Sequence, residues 1–116
     1  MNRRIKRLNV LFQTELADLI TEIRDPRVAE IVSITRVDIS PDLETADVHV
    51  SVLGDATEKQ DSIEALSHAA NYLRRALLRR LRIKKIPALH FALDESIEEA
   101  AHILDLMRKV GDQPTS

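Results

Sequence analysis

The chain contains no cysteine, which removes disulfides, thiolate metal sites and cysteine nucleophiles together. It has only two glycines, Gly54 and Gly111, too few to build a P-loop or a dinucleotide-binding fingerprint, and no G-x-S-x-G nucleophile elbow occurs. Aromatics number three (Phe12, Tyr72 and Phe91). The core must therefore be aliphatic, and few rings remain for stacking on single-stranded bases. No apolar run approaches the ~18 residues of a membrane span. The N-terminus lacks the apolar block and small-residue cleavage site of a secretory signal. These absences lead us to expect a cytoplasmic protein with no membrane segment.

Two stretches lack acid altogether. Residues 1–14 carry Arg3, Arg4, Lys6 and Arg7 and a charge of +4; residues 65–93 carry seven Lys and Arg and a charge of +7. Residues 15–64 have a charge of −9 and residues 94–116 a charge of −4, so the formal net of −2 conceals strong segregation. A focused positive surface is what a polyanion feels, whatever the net charge.

What is present suits one folded domain: 116 residues, 44% of them hydrophobic. Apolar residues at helical spacing run from Ile5 to Ile23 and predict a first helix over 4–23, stopped by Asp25-Pro26. Its basic residues come first and its acids later, against the helix dipole. Residues 33–40 and 45–53 predict an antiparallel hairpin around Ser40-Pro41-Asp42. In the second strand Ala46, Val48, Val50 and Val52 share one face. Thr57 and Gln60 have capping-box spacing and predict a helix start, with an apolar stripe running to Leu81. A break near Ala69-Ala70-Asn71 would divide this long stretch, Asn being tolerant of left-handed or kinked geometry. Pro87 opens a third strand. Ser96 and Glu99 predict the cap of a last helix with apolar Ile97, Ala100, Ala101, Leu104, Met107 and Val110, ended by Gly111. The order α-β-β-α-α-β-α predicts a small α+β fold with helices on one face of a three-stranded sheet, the third strand returning through a helical crossover. The domain would span 1–110, with 111–116 a short polar tail.

On a helical wheel Leu73, Leu77 and Leu81 fall within about 40° of one another, and Arg75, Arg79 and Arg82 lie opposite Leu77. Arg80 and Lys84 sit at the edge of the apolar stripe, where long stems snorkel outward. Ordinary solvated helices mix charge signs because i,i+4 pairs stabilise them. An arginine face without acids therefore points to phosphate, which the planar guanidinium binds through two oxygens. Enzymatic chemistry has little to stand on. Glu98 and His102 are i,i+4 neighbours, but no third ligand has matching spacing. His49, His68 and His90 are scattered, and Asp94, Glu95, Glu98 and Glu99 suit a helix start by charge alone. No metal, cofactor or catalytic residue is expected.

Asp25-Pro26-Arg27, then Val37-Asp38-Ile39-Ser40-Pro41-Asp42-Leu43 with Ala46-Asp47-Val48-His49-Val50, then Pro87-Ala88-Leu89-His90-Phe91 with Asp94-Glu95-Ser96, resemble the bacterial ribosome-binding factor A family over about residues 3–108. The resemblance implies a type II KH-like fold without the G-x-x-G loop, with an interhelical kink in its place. That kink, usually Ala-x-Gly, corresponds to Ala69, Ala70 and Asn71 here. It also implies a non-enzymatic factor in cold adaptation and in late 16S rRNA processing and 30S maturation; separately, we expect a monomer. Its partners would be the immature 30S ribosomal subunit and 16S rRNA near the 5′ end and neck. RNA contacts would then fall to Arg75, Arg79 and Arg82, supported by Arg80, Lys84 and Lys85, with Arg3, Arg4, Lys6 and Arg7 as a second group. The alternative is a non-catalytic interaction module that docks on an acidic partner surface, with the −9 segment as a second docking face.

Overall fold

The computed structural model describes residues 3–112 of the chain, from α1 (Arg3–Ile20) to α4 (Ser96–Asp112). Between these lie a 3₁₀ helix (Pro26–Glu30), β1 (Ile31–Ile39), β2 (Thr45–Val52), α2 (Ala56–His68), α3 (Ala70–Leu81) and β3 (Ala88–Leu93). Apart from the 3₁₀ helix, the expected order of elements is the observed one. The sheet runs β1-β2-β3, antiparallel between β1 and β2 and parallel between β2 and β3. The α2–α3 pair is the crossover that makes the parallel pairing possible.

Burial follows the alternation in β2. Ala46, Val48, Val50 and Val52 point into the core and Asp47 is exposed. Phe12, Leu16 and Leu19 of α1, Leu66 of α2 and Leu73 and Leu77 of α3 close over that face. Ser62 is the one fully buried polar side chain among them, and its hydroxyl donates to the Arg27 carbonyl at 2.8 Å.

β1 is an edge strand, and α1 covers it with polar side chains as well as apolar ones. Asn9 Oδ1 accepts from the Ile39 N–H at 2.9 Å, and Gln13 Nε2 donates to the Ile34 carbonyl at 2.9 Å. The second bond lies beside the register shift between Ile34 and Arg36. A bare edge invites pairing with another chain, and this helix occupies it.

Several boundaries differ from expectation. α1 ends at Ile20, three residues early, where the Thr21 hydroxyl donates to the Asp18 carbonyl and competes with the helical ladder. Asp25-Pro26 caps the 3₁₀ helix instead. The capping box that starts α2 is Asp55 with Glu58, not Thr57 with Gln60. Gly54 sets that register: its φ of +134° is closed to most residues, and a Cβ there would lie 2.8 Å from Glu58 Cβ. The break between α2 and α3 falls at Ala69, with φ −86° and ψ −2°, and Asn71 lies within α3.

The larger correction concerns α4. Its apolar stripe predicts packing on the sheet, yet every residue from Glu95 to Gly111 is exposed, including Ile97, Leu104, Met107 and Val110. The helix continues past Gly111 to Asp112, so Gly111 is no terminator; the rest of the polar tail, from 113, lies outside the described residues. The molecule is correspondingly drawn out, 66 × 37 × 18 Å. What holds α4 is its first turn. Lys59 of α2, nearly buried, reaches Glu98 at 2.6 Å and Glu95 at 3.5 Å. Asp94 takes the place expected for a Ser96–Glu99 box. It accepts from the Ser96 N–H at 2.9 Å and from the Thr35 hydroxyl at 2.6 Å.

This packing separates core from arm in a denaturation experiment. Leu73→Ala empties a fully buried site and is expected to cost about 2–5 kcal/mol in urea denaturation, whereas Leu104→Ala should stay within about 0.5 kcal/mol. A comparable loss for both would mean that α4 is packed. The Thr35 hydroxyl first, and Ser96 next, hold the Asp94 carboxyl down at about 2. An unfolded aspartate titrates near ~3.9, so this joint contributes fully above pH ~4 and loses its contribution as pH falls toward 2. Thr35→Val should move the Asp94 midpoint upward in a carboxyl NMR titration; an unmoved midpoint would refute the assigned cause.

Candidate nucleic-acid interface

α3 is amphipathic because Leu73, Ala76 and Leu77 are buried against the sheet. That burial turns Arg75 and Arg79 outward, and both are exposed. Arg82 ends the helix in a left-handed conformation, φ 51° and ψ 38°, a place usually taken by glycine. Lys84 and Lys85 follow in the loop to β3. Arg75, Arg79, Arg82 and Lys84 have no carboxylate partner among the described residues. Lys85 pairs with Glu44 at 2.7 Å, but both side chains are more than half exposed. Such a surface pair is worth little and is easily exchanged for a phosphate.

Arg80 is different from the rest of the expected set. Its guanidinium meets Asp18 at 2.7 Å, Glu15 at 3.0 Å and Glu22 at 3.3 Å, all three from α1 and the turn that ends it. Hydrogen bonds to Asp18 and then Glu15 push its pKa above the usual arginine value. It is therefore a tie between α1 and α3, not a cation held out to solvent. The same cluster accounts for the charge order of α1, whose acids stand where Arg80 needs them. Arg74 is also internal: Nη2 donates to the Ile86 carbonyl at 2.8 Å, and Nε is buried without a partner.

The N-terminal basic group divides. Arg4 joins Arg82, Lys84 and Lys85 around one cavity of about 580 Å³. Lys6 and Arg7 frame a shallower one with Val10, Leu11 and Thr14. Arg3 is exposed and lines neither of these. A further concavity of about 310 Å³, lined by Asn71, Arg74, Arg75, Leu78, Lys84 and Lys85, shares Lys84 and Lys85 with the first. Two cationic hollows thus share one lysine ridge.

Tyr72 is a residue that the charge pattern passes over. It is 40% exposed and precedes Arg75 and Arg79 by one and two helical turns, so the ring lies on their face. The signal was available in its i,i+3 and i,i+7 spacing. Phe12 is fully buried and Phe91 half-buried.

Part of the acidic segment is ion-paired within the fold. Besides the Arg80 cluster, Asp25 binds Arg27 at 2.8 Å, Asp38 binds Arg36 at 2.7 Å, and Glu44 holds Lys85. Glu98, a candidate partner for His102 by spacing, binds Lys59. Among the described residues no group of three or more His, Asp or Glu could hold a metal, and no helix is long and apolar enough to cross a membrane.

Comparison with known proteins bears on the fold and on family likeness. The family model described as Ribosome-binding factor A matches residues 4–107. A ribosome-binding factor A from Acetivibrio thermocellus is 40% identical over 111 residues, covering 95% of this chain and 90% of that protein. The crystal structure of ribosome-binding factor A from Thermus thermophilus superposes with a TM-score of 0.69 at 28% identity, over 77% of this chain and 94% of that one. A homology model of the Thermus thermophilus factor, fitted into a cryo-EM map of its 30S complex, superposes with a TM-score of 0.62 at 27% identity, over 75% and 91% of the two chains. These structures carry the KH-like fold.

The division between tie and free cation is testable by substitution. Arg80→Met should lower the melting temperature, while Arg79→Met should leave it nearly unchanged. The gap should narrow in 1 M salt, which screens ion pairs of this exposure. Equal melting temperatures for the two variants in low salt would remove Arg80 from its structural role.

Proposed function

Since this chain belongs to the ribosome-binding factor A family, we propose that it is a non-catalytic assembly factor that binds the immature 30S subunit in the cytoplasm. Its RNA contact would be 16S rRNA near the 5′ end and neck, and its task to assist late rRNA processing and subunit maturation. The observation that carries this reading is the set of free cations on one surface: Arg75, Arg79, Arg82 and Lys84, with Lys85 weakly engaged. Arg80 is left out because its three carboxylates already satisfy it. The Thermus thermophilus relative fitted into a 30S complex supports the choice of polyanion.

Phosphate contacts place and orient a protein without reading sequence. The factor would therefore hold an rRNA conformer in place, through charge along α3 and through stacking on Tyr72. Ala69 separates α2 from α3, and Ala70 and Asn71 open α3. They would set the angle at which the arginine face meets the RNA, in place of the G-x-x-G grip of ordinary KH domains.

Reversing Arg75, Arg79 and Arg82 to Glu is expected to abolish co-sedimentation with 30S particles while the melting curve stays cooperative. With about five phosphates engaged, log K for wild type should fall against log salt with a slope of about −3.5 to −4.5. Unchanged co-sedimentation by the folded triple variant would move the site elsewhere.

A further inference from the structure

The cavity shared by α1, the β1–β2 turn and the α3–β3 loop is more specific than a patch of charge. Its floor is apolar: Leu8, Ile39, Leu43, Ile83 and Pro87. Its rim carries Arg82, Lys84 and Lys85, with Arg4 and a single acid, Asp42. At about 580 Å³ it falls within the ~300–1,000 Å³ range of small-ligand sites. A phosphate alone needs cations, not an apolar floor; the combination suits a flat, weakly polar body joined to an anionic group.

Two further features converge on this cavity. Leu43 (φ 62°) and Arg82 (φ 51°) are the two non-glycine residues with positive φ among the described residues, and both line it. L-residues other than Asn and Asp avoid that conformation, and strain of this kind gathers at ligand sites. Asp42 is oriented by two local hydrogen bonds. Its Oδ1 accepts from the Ser40 hydroxyl at 2.6 Å and from the Glu44 N–H at 3.0 Å, and neither bond uses Oδ2. An oriented carboxylate oxygen at the rim is an acceptor for base N–H groups. Guanine presents two adjacent donors on its Watson–Crick edge, the edge through which proteins read unpaired RNA.

We propose that this cavity receives one unstacked nucleotide of the bound RNA, with its base on the Leu43–Ile83 floor, its phosphate between Arg82 and Lys84, and guanine preferred through Asp42. The proposal rests on the RNA-binding reading above and adds base selection to a surface otherwise limited to phosphate contacts.

The test is an amide NMR titration of the full-length protein with GMP, AMP, UMP, inorganic phosphate, and the RNA hexamers UUUGUU and UUUUUU. GMP should shift the Leu43, Ile83 and Lys84 amides at lower concentration than AMP or UMP, and phosphate should leave Leu43 and Ile83 in place. UUUGUU should bind at least tenfold more tightly than both GMP and UUUUUU. Asp42→Asn should remove the preference for guanine while keeping the phosphate response. Phosphate shifts as extensive as those from GMP, or no response at Leu43 and Ile83, would overturn the pocket. GMP binding as tight as UUUGUU would assign it to a free nucleotide and overturn its RNA role. Co-sedimentation with 30S particles, run in parallel, separates the two levels. Retained 30S binding without cavity shifts removes the pocket alone, whereas cavity shifts without 30S binding remove the assembly-factor reading.

Discussion

The arrangement depends on one constraint: a three-stranded sheet with one apolar face must be covered by helices that are themselves apolar on one side. Burying Leu73, Ala76 and Leu77 fixes the rotation of α3 about its axis. Once that rotation is fixed, Arg75 and Arg79 have nowhere to point but outward. The same burial brings Arg80 to the flank of α3, within reach of α1. Core packing and the charged surface are therefore two results of one helix orientation.

Arg80 then links the two basic stretches of the chain. By binding Glu15, Asp18 and Glu22 it fastens α1 beside α3, and the N-terminal end of α1 brings Arg4 to the cavity that Arg82, Lys84 and Lys85 rim. Asn9 and Gln13 hold α1 along β1 at the same time. Segments far apart in sequence contribute to one cationic surface because a cluster of opposite charge ties their helices together.

Much of this was legible in the chain. The alternation in β2, the turn at Ser40-Pro41-Asp42, the division of the long helical stretch and the outward arginines all follow from period and composition. The failures have physical causes. Asp55/Glu58 and Thr57/Gln60 have the same three-residue spacing, and only the backbone conformation of Gly54 decides between them. The apolar stripe of α4 has the period of a packed helix, but period says which side could be buried and not whether anything lies against it. Arg80 could not be told from its neighbours on a wheel, because its partners, on α1 and the turn after it, lie about sixty residues away. Of the candidate contact residues, period and sign identified the arginine face. They could not identify the cavity, which three separate segments build, or the two strained positions in its wall.

The anchoring of α4 at one end has a mechanical consequence. At about 1.5 Å per residue, its 17 residues make an arm of about 25 Å held near its root by Lys59 and Asp94. A rotation of ~10° at that joint displaces the far end by roughly 4 Å, with little change in the domain itself. The helix is thus a lever: a slight change at the Lys59–Glu98 pivot is amplified along its length, and a load on its tip is returned to α2 as torque.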